Sequence, residues 1–132
     1  MSELPVSVAI IDDDDLYRAI MVRVLQRSGM SVVFQANNGK SGIDQMGSCL
    51  PLPSVVIIDV EMPIMDGFET ARRVKEKWPR IAIVAHSSIV ELEANSRMVN
   101  SGADIFIAKS AGVEQLARTI KQIAASKRNK IS

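Results

Sequence analysis

Four consecutive aspartates, Asp12 to Asp15, a further Asp59, the Ser87 that follows His86, and Lys109 are the residues of this chain whose types and placement could do chemistry. Carboxylates gathered at one site repel one another. A hard divalent cation such as Mg²⁺, which takes oxygen ligands and keeps several waters, relieves that repulsion. A lysine and a hydroxyl beside such a cluster complete an oxygen-rich, charge-balanced cradle, suited to a phosphoryl group whose oxygens must be neutralised during transfer. Phosphoryl chemistry is therefore the first expectation, provided the fold brings these separated residues to one place.

The elements that must do so are visible in the apolar pattern. Val6 to Ile11 is apolar and largely β-branched and stops abruptly at the aspartates, which predicts a buried strand. From Leu16 to Arg27 the residues Leu16, Ile20, Met21, Val24 and Leu25 recur at helical spacing, with Gly29 placed as a C-terminal cap. The alternation repeats with a strand over Ser31 to Ala36, a glycine-interrupted helix over Gly39 to Cys49, and an apolar strand over Ser54 to Ile58 preceded by Pro51 and Pro53. Asp66 to Lys77 predicts a helix with Phe68, Ala71 and Val74 inward, Ile81 to Ala85 a fourth strand, and Val90 to Asn100 a helix. Ile105 to Ala108 predicts a fifth strand, and Val113 to Ala125 a last helix with Val113, Leu116, Ile120 and Ile123 on one stripe. Five such units, with strands apolar on both faces, predict a doubly wound five-stranded parallel sheet in a three-layer α/β domain. Ligands of such sheets bind beyond the carboxyl ends of the strands, near the topological switch point. Asp12 and Asp13, Asp59, Ser87 and Lys109 each stand at the end of a different apolar run.

The stretch Asp59-Val60-Glu61-Met62-Pro63-Ile64-Met65-Asp66-Gly67 resembles the signature of response-regulator receiver domains, the CheY-like superfamily of two-component signal transduction. In that signature an acceptor aspartate is followed by Met-Pro and then Asp-Gly, with an acidic pair after strand one and Ser and Lys after strands four and five. The resemblance covers Val6 to Ala125, and four separated elements agree in order, spacing and strand position. It implies the flavodoxin-like (βα)5 fold with strand order 2-1-3-4-5. It implies a switch in a phosphorelay rather than an enzyme acting on an external substrate. Asp59 would accept a phosphoryl group from a sensor histidine kinase, a phosphotransfer protein or a small acyl phosphate. Mg²⁺ would be held by Asp13 directly, Asp12 through water, Asp59 itself and the backbone carbonyl of Glu61. Ser87 would bond a phosphoryl oxygen and Lys109 would pair with the same group. As Ser87 is drawn inward, Phe106 would rotate into the vacated space, altering the face formed by the fourth helix, fifth strand and fifth helix. A partner, an output domain or a second copy of the chain would dock there. Lys109-Ser110, where most receivers have Lys-Pro, together with Gly102-Ala103-Asp104, is similar to receivers of LuxR-type regulators.

Read from the residues alone, other assignments stay open. Asp12-Asp13-Asp14-Asp15-Leu16 also satisfies the D-x-D-x-L pattern of haloacid-dehalogenase-like phosphatases, with Asp12 as nucleophile and Asp14 as acid/base. That alternative leaves Asp59 and its Met-Pro sequel unexplained and finds no acidic pair after Lys109. One of Asp14 and Asp15 reads as the N-cap of the first helix. His86 reads as a structural residue at a strand end, because a phosphotransfer histidine needs an exposed helical position. Sixteen Lys and Arg against fifteen Asp and Glu leave a net charge of +1, too balanced for a dedicated nucleic-acid or membrane binder. Cys49 is alone, which points to a reducing compartment, and neither a signal peptide nor a transmembrane-length run is legible, so a cytoplasmic protein is expected. Residues 1–126 read as the receiver. Residues 127–132, with Lys127, Arg128 and Lys130, read as a basic tail or the start of a linker to an output domain.

Overall fold

Strands buried on both faces need helices above and below them, and the two apolar faces of this sheet have them. The computed structural model describes residues 5–89 and 91–131, the last five through their backbone alone. The elements alternate without exception: β1 Ser7–Ile11, α1 Asp15–Arg27, β2 Ser31–Ala36, α2 Gly39–Ser48, β3 Val55–Ile58, α3 Gly67–Lys77, β4 Ala82–Ser87, α4 Leu92–Asn100, β5 Ile105–Ala108 and α5 Val113–Ile131. The strands form one parallel sheet in the order β2-β1-β3-β4-β5, the flavodoxin-like order implied by the resemblance. Because side chains alternate along a strand, the sheet feeds two cores. Val8, Ile10, Val55, Ile57, Val84 and Ile107 pack beneath α1 and α5, against Met21, Leu25, Leu116 and Ile120. Ala9, Ile11, Val56, Ile58, Ile83 and Ala85 pack beneath α2, α3 and α4, against Met46, Val74 and Met98. Each large apolar side chain so buried contributes roughly 1.5–3 kcal/mol, which is what holds the three layers together.

Register carries this packing to the sheet's carboxyl edge. Ile11 pairs with Ile58, so Asp12 and Asp59 leave the sheet side by side. Ser87 pairs with Ala108, so Lys109 follows one residue beyond that pair on the neighbouring strand. Backbone bonds extend the ladder to the edge: Asp12 N–H donates to the Ala36 carbonyl and Asp59 N–H to the Ile11 carbonyl, both at 3.0 Å.

Most element bounds differ from expectation by a residue or two at fraying ends. Two differences have a physical reason of their own. β4 runs on through His86 and Ser87 instead of stopping at Ala85, because the polar side chain of His86 finds partners inside. α5 continues to Ile131 rather than ending at Ala125, since Ser126 to Ile131 contains neither glycine nor proline and is rich in helix-tolerant Lys and Arg. Asp14, not Asp15, is the N-cap of α1, its carboxylate accepting the Tyr17 N–H at 3.0 Å. Val90, where the fourth helix was expected to begin, the side chains of Lys127, Arg128 and Lys130, residues 1–4 and Ser132 lie outside the described residues.

Candidate functional site

The acidic pocket is assembled from two strand ends. Asp12, Asp13 and Asp59 each bring one carboxylate oxygen within 4.8 Å of the others. Asp12 is 1% exposed and Asp59 7%, whereas Asp13 opens to solvent. Asp12 Oδ1 accepts the Asp14 N–H at 2.9 Å, and the Arg18 guanidinium donates to the Asp12 carbonyl at 2.7 Å, so both ends of that residue are held. Asp59 Oδ1 accepts the Val60 N–H at 2.8 Å. Beneath this turn lies Gly67, where a Cβ would stand 2.1 Å from the Asp59 carbonyl oxygen. The Asp-Gly of the sequence motif is thus two devices: Asp66 caps α3 by accepting the Glu69 N–H, and Gly67 lets that helix start directly under the acceptor strand.

Lys109 enters from β5 and lies between the two buried carboxylates. Its Nζ is 2.9 Å from Asp12 Oδ2 and 3.4 Å from Asp59 Oδ2. Burial pulls the Lys109 ammonium down, but its hydrogen bond to Asp12 and the charges of Asp59 and Asp12 together outweigh that and raise its pKa. Asp59 is pushed up from 3.8 to about 6, first by burial and then by the charge of Asp12, with Lys109 and the Val60 N–H acting in the opposite sense. A carboxyl in that range is mostly ionised at neutral pH and still basic enough to act as a nucleophile. The segment after Lys109 is a single 3₁₀ turn, Lys109–Ala111, closed by Gly112 with φ 91°. A glycine in that left-handed conformation ends the turn at no steric cost.

Ser87 and Phe106 stand on the sheet face covered by α3 and α4. Ser87 is buried and its Oγ accepts the Ile89 N–H at 3.1 Å, leaving its proton free to be donated elsewhere. Phe106 is half-buried on the adjacent strand, opposite Ala85. Between α4 and the β3–α3 connection runs a groove of about 430 Å³ bordered by Met62, Phe68, Ile89, Ala94 and Arg97.

The structure therefore brings Asp12, Asp13, Asp59 and Lys109 together and sets Ser87 on the neighbouring strand. Glu61 stands two residues beyond Asp59 in irregular backbone with its side chain exposed. Two residues, Arg18 and Tyr17, escaped the sequence reading. Arg18 secures the β1–α1 turn. Tyr17 and His86 meet across 69 positions of sequence, the phenol oxygen 2.6 Å from His86 Nε2. His86 has the structural role expected of it and is fully buried. Asp14 is turned to its capping bond and exposed, so it does not face Asp12 as the acid/base of a phosphatase would.

Comparison with known proteins points the same way. The family model of the response regulator receiver domain matches residues 8–121. The response regulator GacA of Pseudomonas aeruginosa is 33% identical over 129 residues, which cover 93% of this chain and 57% of the regulator. The chain thus spans little more than half the length of that relative. Among solved structures, a CheY-like receiver domain protein of Methanospirillum hungatei superposes with a TM-score of 0.87 at 20% identity, covering 97% of this chain and 99% of that one. The CheX–CheY–BeF3–Mg²⁺ complex of Borrelia burgdorferi gives a TM-score of 0.85 at 19% identity, covering 91% of this chain and 90% of that one. At those identities the two structures speak to the fold. The haloacid-dehalogenase-like alternative finds no support in these matches.

Proposed function

This chain belongs to the response regulator receiver domain family, the phosphorylation-activated switches of two-component signalling, and on that premise we propose that Asp59 is its phosphate acceptor. The observation that supports the assignment is the bridge of Lys109 across Asp12 and Asp59, which sets Asp59 beside a positive charge within the acidic cluster; the Met-Pro and Asp-Gly that follow Asp59 favour it over Asp12 as the acceptor. A carboxylate oxygen of Asp59 attacks the phosphorus of a phosphohistidine or an acyl phosphate. The new O–P bond forms as the P–N or P–O bond breaks, and its electron pair leaves on the imidazole or the carboxylate. Lys109 neutralises the phosphoryl oxygens, and Ser87, whose hydroxyl proton is uncommitted, donates to one of them. Asp12, Asp13 and Asp59, with the Glu61 carbonyl, form the all-oxygen set that would hold Mg²⁺. When bound, that ion supplies the charge that offsets the clustered carboxylates and the transferring group.

A receiver is a signalling switch rather than a classical enzyme. Here phosphorylation from donors and loss of the acyl phosphate to water are its only chemistry. As Ser87 turns toward the phosphoryl group, Phe106 follows, and the α4–β5–α5 face changes for a partner, an output domain or a second copy. Receiver domains interact with histidine kinases or phosphotransfer proteins, and we assign this one a donor of that class. Residues 1–126 form the receiver, and 127–132 are a basic tail or lead toward an output domain, in keeping with relatives longer than this chain. Among the described residues no helix is long and apolar enough to cross a membrane, and a cytoplasmic setting fits a partner of this kind. Intact-mass measurement after incubation with Mg²⁺ and acetyl phosphate tests the assignment: one phosphoryl mass is expected on the wild type and none on Asp59→Asn. Equal labelling of both sinks it.

A further inference from the structure

Tyr17 and His86 have no part in the chemistry above, yet they border the same pocket. His86 Nδ1 lies 2.8 Å from the Ile107 carbonyl, which can only accept, so the ring carries its proton there. Nε2 is then an acceptor, and the Tyr17 hydroxyl donates to it at 2.6 Å. His86 is 0% exposed, and burial holds its pKa below the ordinary histidine range, in keeping with a neutral ring. Tyr17 comes from the first turn of α1, where its N–H is tied to the capping Asp14. Backbone, hydroxyl and ring plane are thus all fixed, and the Lys109 ammonium lies 4.5 Å from the centre of that ring, within cation–π range. The contacts close on themselves, because Ile107, which orients His86, is two residues before Lys109.

A lysine stem is long and flexible, and an ammonium bound only by carboxylates would stay with whichever is nearer, here Asp12. A neutral aromatic face attracts the ammonium without competing for it as an anion would. It keeps the charge in the pocket while letting it shift from Asp12 toward a group on Asp59. We infer that Tyr17, anchored by His86, is a positioning residue for the phosphorylation of Asp59, its ring the platform that keeps the Lys109 ammonium at the acceptor. This rests on Asp59 being the acceptor.

The test is a double-mutant cycle on the rate of phosphorylation by acetyl phosphate with Mg²⁺, using wild type, Tyr17→Leu, Lys109→Ala and the double variant, with Tyr17→Phe beside them. Tyr17→Leu is expected to slow the reaction about three- to tenfold, the worth of a partly desolvated cation–π contact. Tyr17→Phe, which keeps the ring, recovers part of that loss. In the Lys109→Ala background Tyr17→Leu has no further effect. Equal slowing in both backgrounds reveals a merely structural role and overturns the inference, as does an unslowed Tyr17→Leu. Nitrogen NMR of the unmutated protein checks the anchor independently of any variant's folding: the Nδ1–H tautomer of His86 is expected, and the Nε2–H tautomer overturns it. A wild type that gains no phosphoryl group at all fails the reading on which this inference rests, and the inference with it.

Discussion

His86 and Ser87 are neighbours on β4 that face opposite sides of the sheet, and the two sides are built differently. On the His86 side the ring is fully buried and bonded at both nitrogens, beneath two helices that contribute Met21, Leu25, Leu116 and Ile120 at 0% exposure. On the Ser87 side the hydroxyl holds a single N–H, Phe106 is half-buried and a groove opens beside α4. α4 itself buries only Met98, exposes Leu92 at 81% and starts at Glu91 without a side-chain cap. Elements with few buried contacts open at low free-energy cost and are where conformational switching is drawn from. The difference teaches how one pocket serves two purposes: the α1–α5 side holds the charges that do the chemistry, and the α4 side is free to report on it.

The comparison breaks most readily at Met98. Met98→Ala removes the one fully buried side chain of α4, and a loss of about 2–5 kcal/mol is expected for such a truncation. Hydrogen-exchange protection should fall first over Leu92 to Asn100 while α1 keeps its own. Equal loss over both helices would mean that the two sides open as one unit.

A smaller effect of opposite sign is expected at the acceptor, on the side that holds the charges. Asp59 has its pKa raised from 3.8 to about 6 by burial and by Asp12, so between those values the fold without metal holds a proton that the unfolded chain has released. The stability this contributes is complete below about pH 4 and is lost as pH rises through about 6. Asp59→Asn cannot ionise. With a chelator present it should exceed wild type by about 1–3 kcal/mol at pH 7, an advantage that fades toward pH 4. Urea unfolding at both pH values measures it, and a pH-independent difference would contradict the repulsion described here.

The same contrast explains what was legible in the sequence. Apolar runs and helical stripes are local consequences of burial, so all five strands, and helices near their observed bounds, could be read before the fold was seen. Asp12, Asp59, Ser87 and Lys109 were legible because each follows such a run; their roles came from the resemblance. Tyr17 was not, because helical spacing says only that it turns inward, and nothing local reveals a partner 69 positions away. For the same reason the apolar pattern alone closes β4 at Ala85: a histidine looks like the end of an apolar strand until its partners are known. The extension of α5 is not legible because Lys, Arg and Ser fit a solvated tail and a helix equally well.

The smallest expected effect sharpens the picture of α4. The Arg97 guanidinium sits 3.9 Å from the centre of the Phe68 ring, tying α4 to α3 across the groove. Arg97→Ala should cost about 0.5–1 kcal/mol, the worth of an exposed cation–π pair. It should appear as faster exchange in α4 with little change in global unfolding; a larger global loss would show α4 to be more firmly seated than its burial indicates.

Hydrogen exchange of the wild type and of Asp59→Asn, each with Mg²⁺ and with or without excess acetyl phosphate, tests the account most directly. The wild type should change exchange over Leu92 to Asn100 and at Phe106 when the donor is added, with Asp15 to Arg27 unaltered, and Asp59→Asn should not respond. Donor-dependent change that persists in Asp59→Asn, or that falls on α1 as strongly as on α4, would contradict it.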